Sequence, residues 1–88
     1  MPIQIKRMDK VPNPQGDLRA WFDVETKGYV FFRFQLVEGP DGKLYAKYPL
    51  REYITQGRKV KEPWYRFKDL DMLRLVTEEA RGVYDRKR

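Results

Sequence analysis

Apolar and polar residues alternate through the first half of the chain. Between residues 18 and 26 the apolar side chains occupy every second position, which is the period of a strand with one buried face. Lys27-Gly28 then predicts a tight turn, because glycine readily adopts the positive φ of a two-residue hairpin. Further strands are predicted over Tyr29–Val37 and Lys43–Tyr48, with a glycine-containing turn between them. Residues 18–48 are therefore predicted to form a three-stranded antiparallel meander.

The segments on either side complete an α+β fold. A first strand is predicted over Ile3–Met8. After Pro49 the pattern is less regular, and Tyr53–Val60 is predicted to be either a short strand or an extended loop. From Asp69 onward the apolar period becomes helical, and Asp69 itself is a suitable N-cap. We expect a single domain, residues 1–88, with an antiparallel sheet of three to five strands and one C-terminal helix packed on one face.

One helix covers only one face of such a sheet. Strict alternation places nine apolar residues on the buried face: Leu18, Ala20, Phe22, Val30, Phe32, Phe34, Leu36, Leu44 and Ala46. The opposite face then carries Trp21, Tyr29 and Phe31 among basic residues. Clustered rings on a solvated face are typical of an interaction site. We therefore predict that these three residues form a homodimer interface, with a base-stacking platform as the alternative. The same aromatic face leaves a protein-interaction or self-assembly scaffold as the alternative to nucleic-acid binding.

The charge of the chain is concentrated in residues 43–68. The formal net charge is +6, and this segment supplies all of it, with eight basic side chains against two acidic ones. It also contains six aromatic residues, and cations interleaved with rings are typical of surfaces that bind phosphates and stack on bases. The predicted phosphate contacts are Lys43, Lys47, Arg51, Arg58, Lys59 and Lys61, and the predicted stacking residues are Tyr45, Tyr53 and Trp64. The alternative is an edge strand that lysines protect against aggregation.

A local motif raises a second possibility for base contacts. Residues 27–34 match six of the eight positions of the RNA-recognition-motif signature, with Tyr29 and Phe31 at its stacking positions. That signature requires a preceding β-α-β arrangement, whereas residues 9–17 form a proline-containing loop. We interpret the match as a common feature of small β domains and keep Tyr29 and Phe31 as candidate stacking residues.

Several residue types are missing, and their absence bears on the class of protein. The chain has no cysteine and no histidine, so disulfides, thiolate ligands and the usual general base are lacking. We expect no enzymatic activity, no metal, no cofactor and no small-molecule substrate. No apolar run approaches the ~20 residues of a membrane span, and the first residues do not have the pattern of a signal peptide. A cytoplasmic location is expected.

Short motifs in the chain resemble the stage V sporulation protein G (SpoVG) family of small bacterial proteins. The matching residues are Ile5 and Arg7, Gly16-Asp17-Leu18-Arg19-Ala20, Leu36–Tyr45 and Tyr48-Pro49-Leu50-Arg51, within about two-thirds of the chain. The resemblance implies a homodimeric α+β protein that binds DNA or RNA and acts in regulation, with links to septation and sporulation. It also implies a contact role for Arg51, where the family keeps a basic residue after its proline. The family's histidine-containing segment corresponds to Lys61–Tyr65 here, which has no histidine.

Overall fold

Six strands and one helix form within residues 3–64 and 66–87, the part of the chain that the computed structural model describes. They are β1 (Gln4–Lys10), β2 (Leu18–Thr26), β3 (Tyr29–Glu38), β4 (Leu44–Lys47), β5 (Leu50–Thr55), β6 (Arg58–Pro63) and α1 (Leu70–Arg86). Strands β1 to β4 form one antiparallel sheet in sequence order, and β5 pairs with β6 in a separate hairpin. The predicted α+β class and the meander over residues 18–48 are confirmed.

Helix α1 covers one face of the four-stranded sheet. Asp69 caps its N-terminus, as predicted, because the Asp69 carboxylate accepts a hydrogen bond of 2.9 Å from the Asp71 N–H. Val76 and Ala80 are fully buried where the helix meets the sheet. The buried core that they join contains Met8, Ala20, Phe22, Val24, Phe34, Leu36 and Ala46.

The helix also closes the β4 edge of this sheet. The buried Thr77 hydroxyl accepts a 3.0 Å hydrogen bond from the Ala46 N–H. One turn later, Arg81 Nε donates a 2.6 Å bond to the Leu44 carbonyl oxygen. These are backbone groups that an edge strand would otherwise offer to another chain. Side chains of α1 therefore block strand addition at these two positions of β4.

A β-bulge in β3 changes which of its residues face the helix. Phe34 lies opposite Phe22, but Phe31 lies opposite Val24, so β3 contains one residue more than β2 over this interval. Arg33 adopts a φ of 67° at the bulge. An extra residue inverts the alternation of faces for everything beyond it.

The inverted alternation overturns part of the predicted core. Phe31 packs against the core on the helix side, whereas strict alternation placed it on the opposite face. Val30 and Phe32 were predicted to be buried, and both are exposed, Phe32 by 58%. The predictions for Ala20, Phe22, Phe34, Leu36 and Ala46 are confirmed, since all five are buried. Leu18 and Leu44 are only partly buried.

Candidate nucleic-acid interface

The β5–β6 hairpin occupies most of the basic segment and projects from the folded core. All six residues of β5 are exposed, and no residue of 50–63, all of which are described, belongs to the buried core. A 3.0 Å bond from the Trp64 N–H to the Pro49 carbonyl closes the base of the hairpin. The sequence predicts either a short strand or an extended loop around Gly57 for Tyr53–Val60. The structure shows two paired strands, so Arg58, Lys59 and Lys61 lie on β6 and not on a loop.

One side of the hairpin carries an arginine between two rings. Arg51 lies opposite Glu62 in the register, and its Nε donates a 2.8 Å hydrogen bond to Glu62 Oε1. The Arg51 guanidinium carbon is 5.2 Å from the centre of the Tyr53 ring and 5.7 Å from that of Trp64. Arg51 is therefore neutralised and positions the two rings, while Trp64 remains 63% exposed.

The other side carries two lysines that share one carboxylate. Lys59 Nζ is 3.2 Å and Lys61 Nζ is 3.4 Å from the oxygens of Glu52. The hydrogen bond from Lys59 is the main cause that lowers the pKa of Glu52 below its ordinary value of 4.5. The charge of Lys59 and the contact with Lys61 act in the same direction. This side therefore keeps one net positive charge beside the exposed Ile54.

Three of the predicted phosphate contacts form no ion pair with any other described residue. Lys43, Lys47 and Arg58 are all exposed, and no described carboxylate pairs with them. Both acids of residues 43–68, Glu52 and Glu62, are already engaged with the other three predicted contacts. The net charge of the segment is consequently carried by cations that are available to a ligand.

Tyr45 is more constrained than the prediction of a stacking residue implies. Its hydroxyl donates to the Asp41 carboxylate, which also accepts a 2.9 Å bond from the Lys43 N–H. The Arg81 guanidinium lies 4.9 Å from the centre of the Tyr45 ring. The hydrogen bond between Tyr45 and Asp41 is the main reason that the pKa of Asp41 is lowered and that of Tyr45 is raised. Tyr45 thus stabilises the β3–β4 turn and offers less ring surface than Trp64.

The three residues predicted to form a dimer interface do not share one face. Trp21 lies on the face away from α1, where the Arg33 guanidinium covers its ring at 4.4 Å. Arg33 is held there in part by its backbone N–H, which donates a 3.0 Å bond to the buried carboxylate of Asp23. Tyr29 and Phe31 are neighbours on the helix side, with ring centres 6.3 Å apart. The assignment of the three to an interface stays a prediction.

Phe67 is a residue near the site that the sequence pattern does not predict. Its ring lies 5.3 Å from Phe31, 6.0 Å from Phe34 and 5.7 Å from Tyr48, measured between ring centres. The Phe67 N–H also donates a 3.2 Å bond to the Tyr48 hydroxyl. Phe67 therefore packs the segment after β6 against Tyr48, which lies just before the hairpin. Its aromatic character was the only signal in the sequence, because no periodic pattern covers residues 61–68.

The described residues hold no group of three or more acidic side chains placed to bind a metal ion together. No helix that they form has the length and apolar character needed to cross a membrane. Comparison with protein-family models, curated proteins and solved structures finds no match to this chain. The resemblance to the SpoVG family stays a prediction.

Proposed function

We propose that this protein is a cytoplasmic, non-enzymatic regulator that binds nucleic acid, DNA or RNA, through residues 43–68. The observation that supports this most strongly is the exposure of basic and aromatic side chains on the projecting hairpin and around β4, which precedes it. Lys43, Lys47 and Arg58 are exposed cations without an acidic partner among the described residues, and Trp64 in the same segment presents an exposed ring.

The shape of the hairpin suits this role. A two-stranded ribbon is narrow enough to enter the major groove of a duplex. Its exposed rings could alternatively stack on the bases of a single strand, a contact of about 1–3 kcal/mol per base. Both modes need cations near the backbone, and both predict binding that weakens steeply with salt, because each phosphate contact releases counterions.

The assignment of the hairpin is tested by a double substitution at the start of β6. Arg58→Ala with Lys59→Ala removes one unpartnered cation and one that shares Glu52. We expect weaker binding to every oligonucleotide sequence, and a slope of log affinity against log salt that is shallower by about 1 per lost phosphate contact. Fluorescence anisotropy of labelled single-stranded and duplex oligonucleotides measures both quantities.

The matched control removes the same charge elsewhere. Lys6→Ala with Lys87→Ala alters exposed cations on β1 and after α1, outside residues 43–68. We expect this control to keep the slope of the wild-type protein. Equal losses in the two double variants would show that overall charge, and not the hairpin, determines binding.

Self-assembly through the sheet face away from α1 is the second candidate function. The observation in its favour is that Val30 and Phe32, two residues apart on β3, are both exposed. A homodimer through this face predicts that Phe32→Asp lowers the mass measured by light scattering, with little dependence on salt. A mass that is the same for wild type and variant at low micromolar concentration would exclude Phe32 from any such interface.

A further inference from the structure

We propose that a cleft beside the segment between the hairpin and α1 holds a single nucleobase of the bound strand. This inference rests on the proposed function and adds a second site of contact with the nucleic acid. The cleft has a volume of about 310 Å³ and lies between the β2–β3 turn and the start of α1. We call it the aromatic cleft, and its lining residues include Lys27, Tyr29, Phe31, Phe67, Lys68 and Met72.

Three rings form the walls of the aromatic cleft. Tyr29 lies 6.3 Å from Phe31 at an interplanar angle of 37°, and Phe31 meets Phe67 edge-on at 5.3 Å. Met72 is buried beneath them, whereas Tyr29 is 67% exposed. Phe31 and Phe67 are fixed by the core, so Tyr29 is the ring that still offers most of its surface to a ligand. The volume is at the lower end for small-molecule sites, which suits one base.

The charges at the rim favour a ligand that is both flat and anionic. Lys27 comes from the β2–β3 turn and Lys68 from the segment before α1, and neither forms an ion pair with a described residue. Asp69, the acidic residue of the rim, accepts the capping hydrogen bond of α1, and two basic side chains with one acidic one leave the rim a formal net charge of +1. A nucleotide combines the ring that the walls would stack on with the phosphate that the lysines would bind.

The aromatic cleft shares Phe67 with the segment that joins the hairpin to α1. Phe67 forms part of its wall and also contacts Tyr48 through a hydrogen bond and a ring contact, immediately before β5 begins. In the proposed complex, a strand whose phosphates follow the hairpin cations places one base against Tyr29.

The test uses two probes that separate the base from the phosphate. Uridine 5′-monophosphate and ribose 5-phosphate carry the same phosphate, but only the first has a base. In ¹H–¹⁵N spectra we expect the nucleotide to shift the amide signals of Tyr29, Phe31 and Lys68, and ribose 5-phosphate to shift them far less. Tyr29→Ala should weaken binding of the nucleotide and of a single-stranded oligonucleotide about ten-fold, and Tyr29→Phe should restore both.

The outcomes distinguish this inference from the proposed function. If oligonucleotides bind, but Tyr29→Ala binds the nucleotide and the single-stranded oligonucleotide as well as the wild type does, the aromatic cleft is excluded and the hairpin proposal stands. If the nucleotide binds at Tyr29 but oligonucleotides do not bind, the cleft is a nucleotide site and the proposed function is wrong. If neither the nucleotide nor any oligonucleotide binds, both proposals are overturned.

Discussion

Glu52 limits the positive charge that the hairpin presents, and its removal is expected to strengthen binding. Residues 50–63 carry four basic and two acidic side chains, so Glu52→Gln raises their net charge from +2 to +3. The substitution frees Lys59 and Lys61, which lie 3.2 and 3.4 Å from the Glu52 oxygens. All three side chains are about half exposed or more, so solvent screens these ion pairs, their loss costs little stability and the hairpin should stay folded.

The expected change in the salt dependence of binding follows from counterion release. One additional phosphate contact steepens the slope of log affinity against log salt by about 0.9 on duplex DNA. Between 50 and 200 mM salt, the variant should then lose roughly 3.5-fold more affinity than the wild type, starting from tighter binding at low salt. Fluorescence anisotropy with one labelled duplex across that salt range measures the difference.

A second glutamate provides the matched control. Glu78→Gln changes the overall charge by the same amount, but Glu78 lies on α1 and pairs with Arg74 at 3.3 Å. We expect its salt slope to equal that of the wild type. An unchanged slope for Glu52→Gln, or an equal increase in both variants, would refute the reasoning that the hairpin surface carries the phosphate contacts.

Three further predictions concern the fold and the titration of the hairpin. Thr77→Val should lower the free energy of unfolding by about 1–3 kcal/mol in urea denaturation, because it leaves a buried amide of β4 without an acceptor; recovery of less than half of this loss by Thr77→Ser would count against it. In the same urea denaturation, Phe31→Ala should lower the free energy of unfolding by about 2 kcal/mol and Phe32→Ala by less than about 1 kcal/mol. Strict alternation implies the reverse order. The pKa of Glu52, followed by NMR, should lie below 4.5 and rise in Lys59→Ala. Since folding lowers this pKa, the ion pair stabilises the hairpin above pH 4.5 and is lost as the pH falls through the folded-state pKa; a value at or above 4.5 in the wild type would contradict this.

Regular periodicity predicted most of the sheet and the helix. Alternation over residues 18–26 and the glycine turns determine the meander, and the N-cap at Asp69 marks the start of α1. The bulge at Arg33 was not predictable in the same way, because arginine at positive φ has no local sequence signature. That single extra residue moved Phe31 to the helix side and exposed Phe32.

The candidate site was predictable in composition but not in geometry. Counting charges located the basic segment, yet the sequence could not show that Glu62 neutralises Arg51 or that Glu52 serves two lysines. Those pairings depend on the register of β5 and β6, which a pattern interrupted by Gly57 does not specify. The closure of the aromatic cleft by Phe67 is a contact between segments far apart in sequence, and such contacts leave no periodic signal.

The most direct test of nucleic-acid binding is a salt titration of the wild-type protein with labelled single-stranded and duplex oligonucleotides. We expect binding to at least one of them, with log affinity falling linearly against log salt at a slope of several units, because the six net charges of residues 43–68 would contact phosphates. Comparison of the two oligonucleotides then separates groove binding from base stacking. Absence of binding at 50 mM salt, or binding that does not change with salt, would contradict the account.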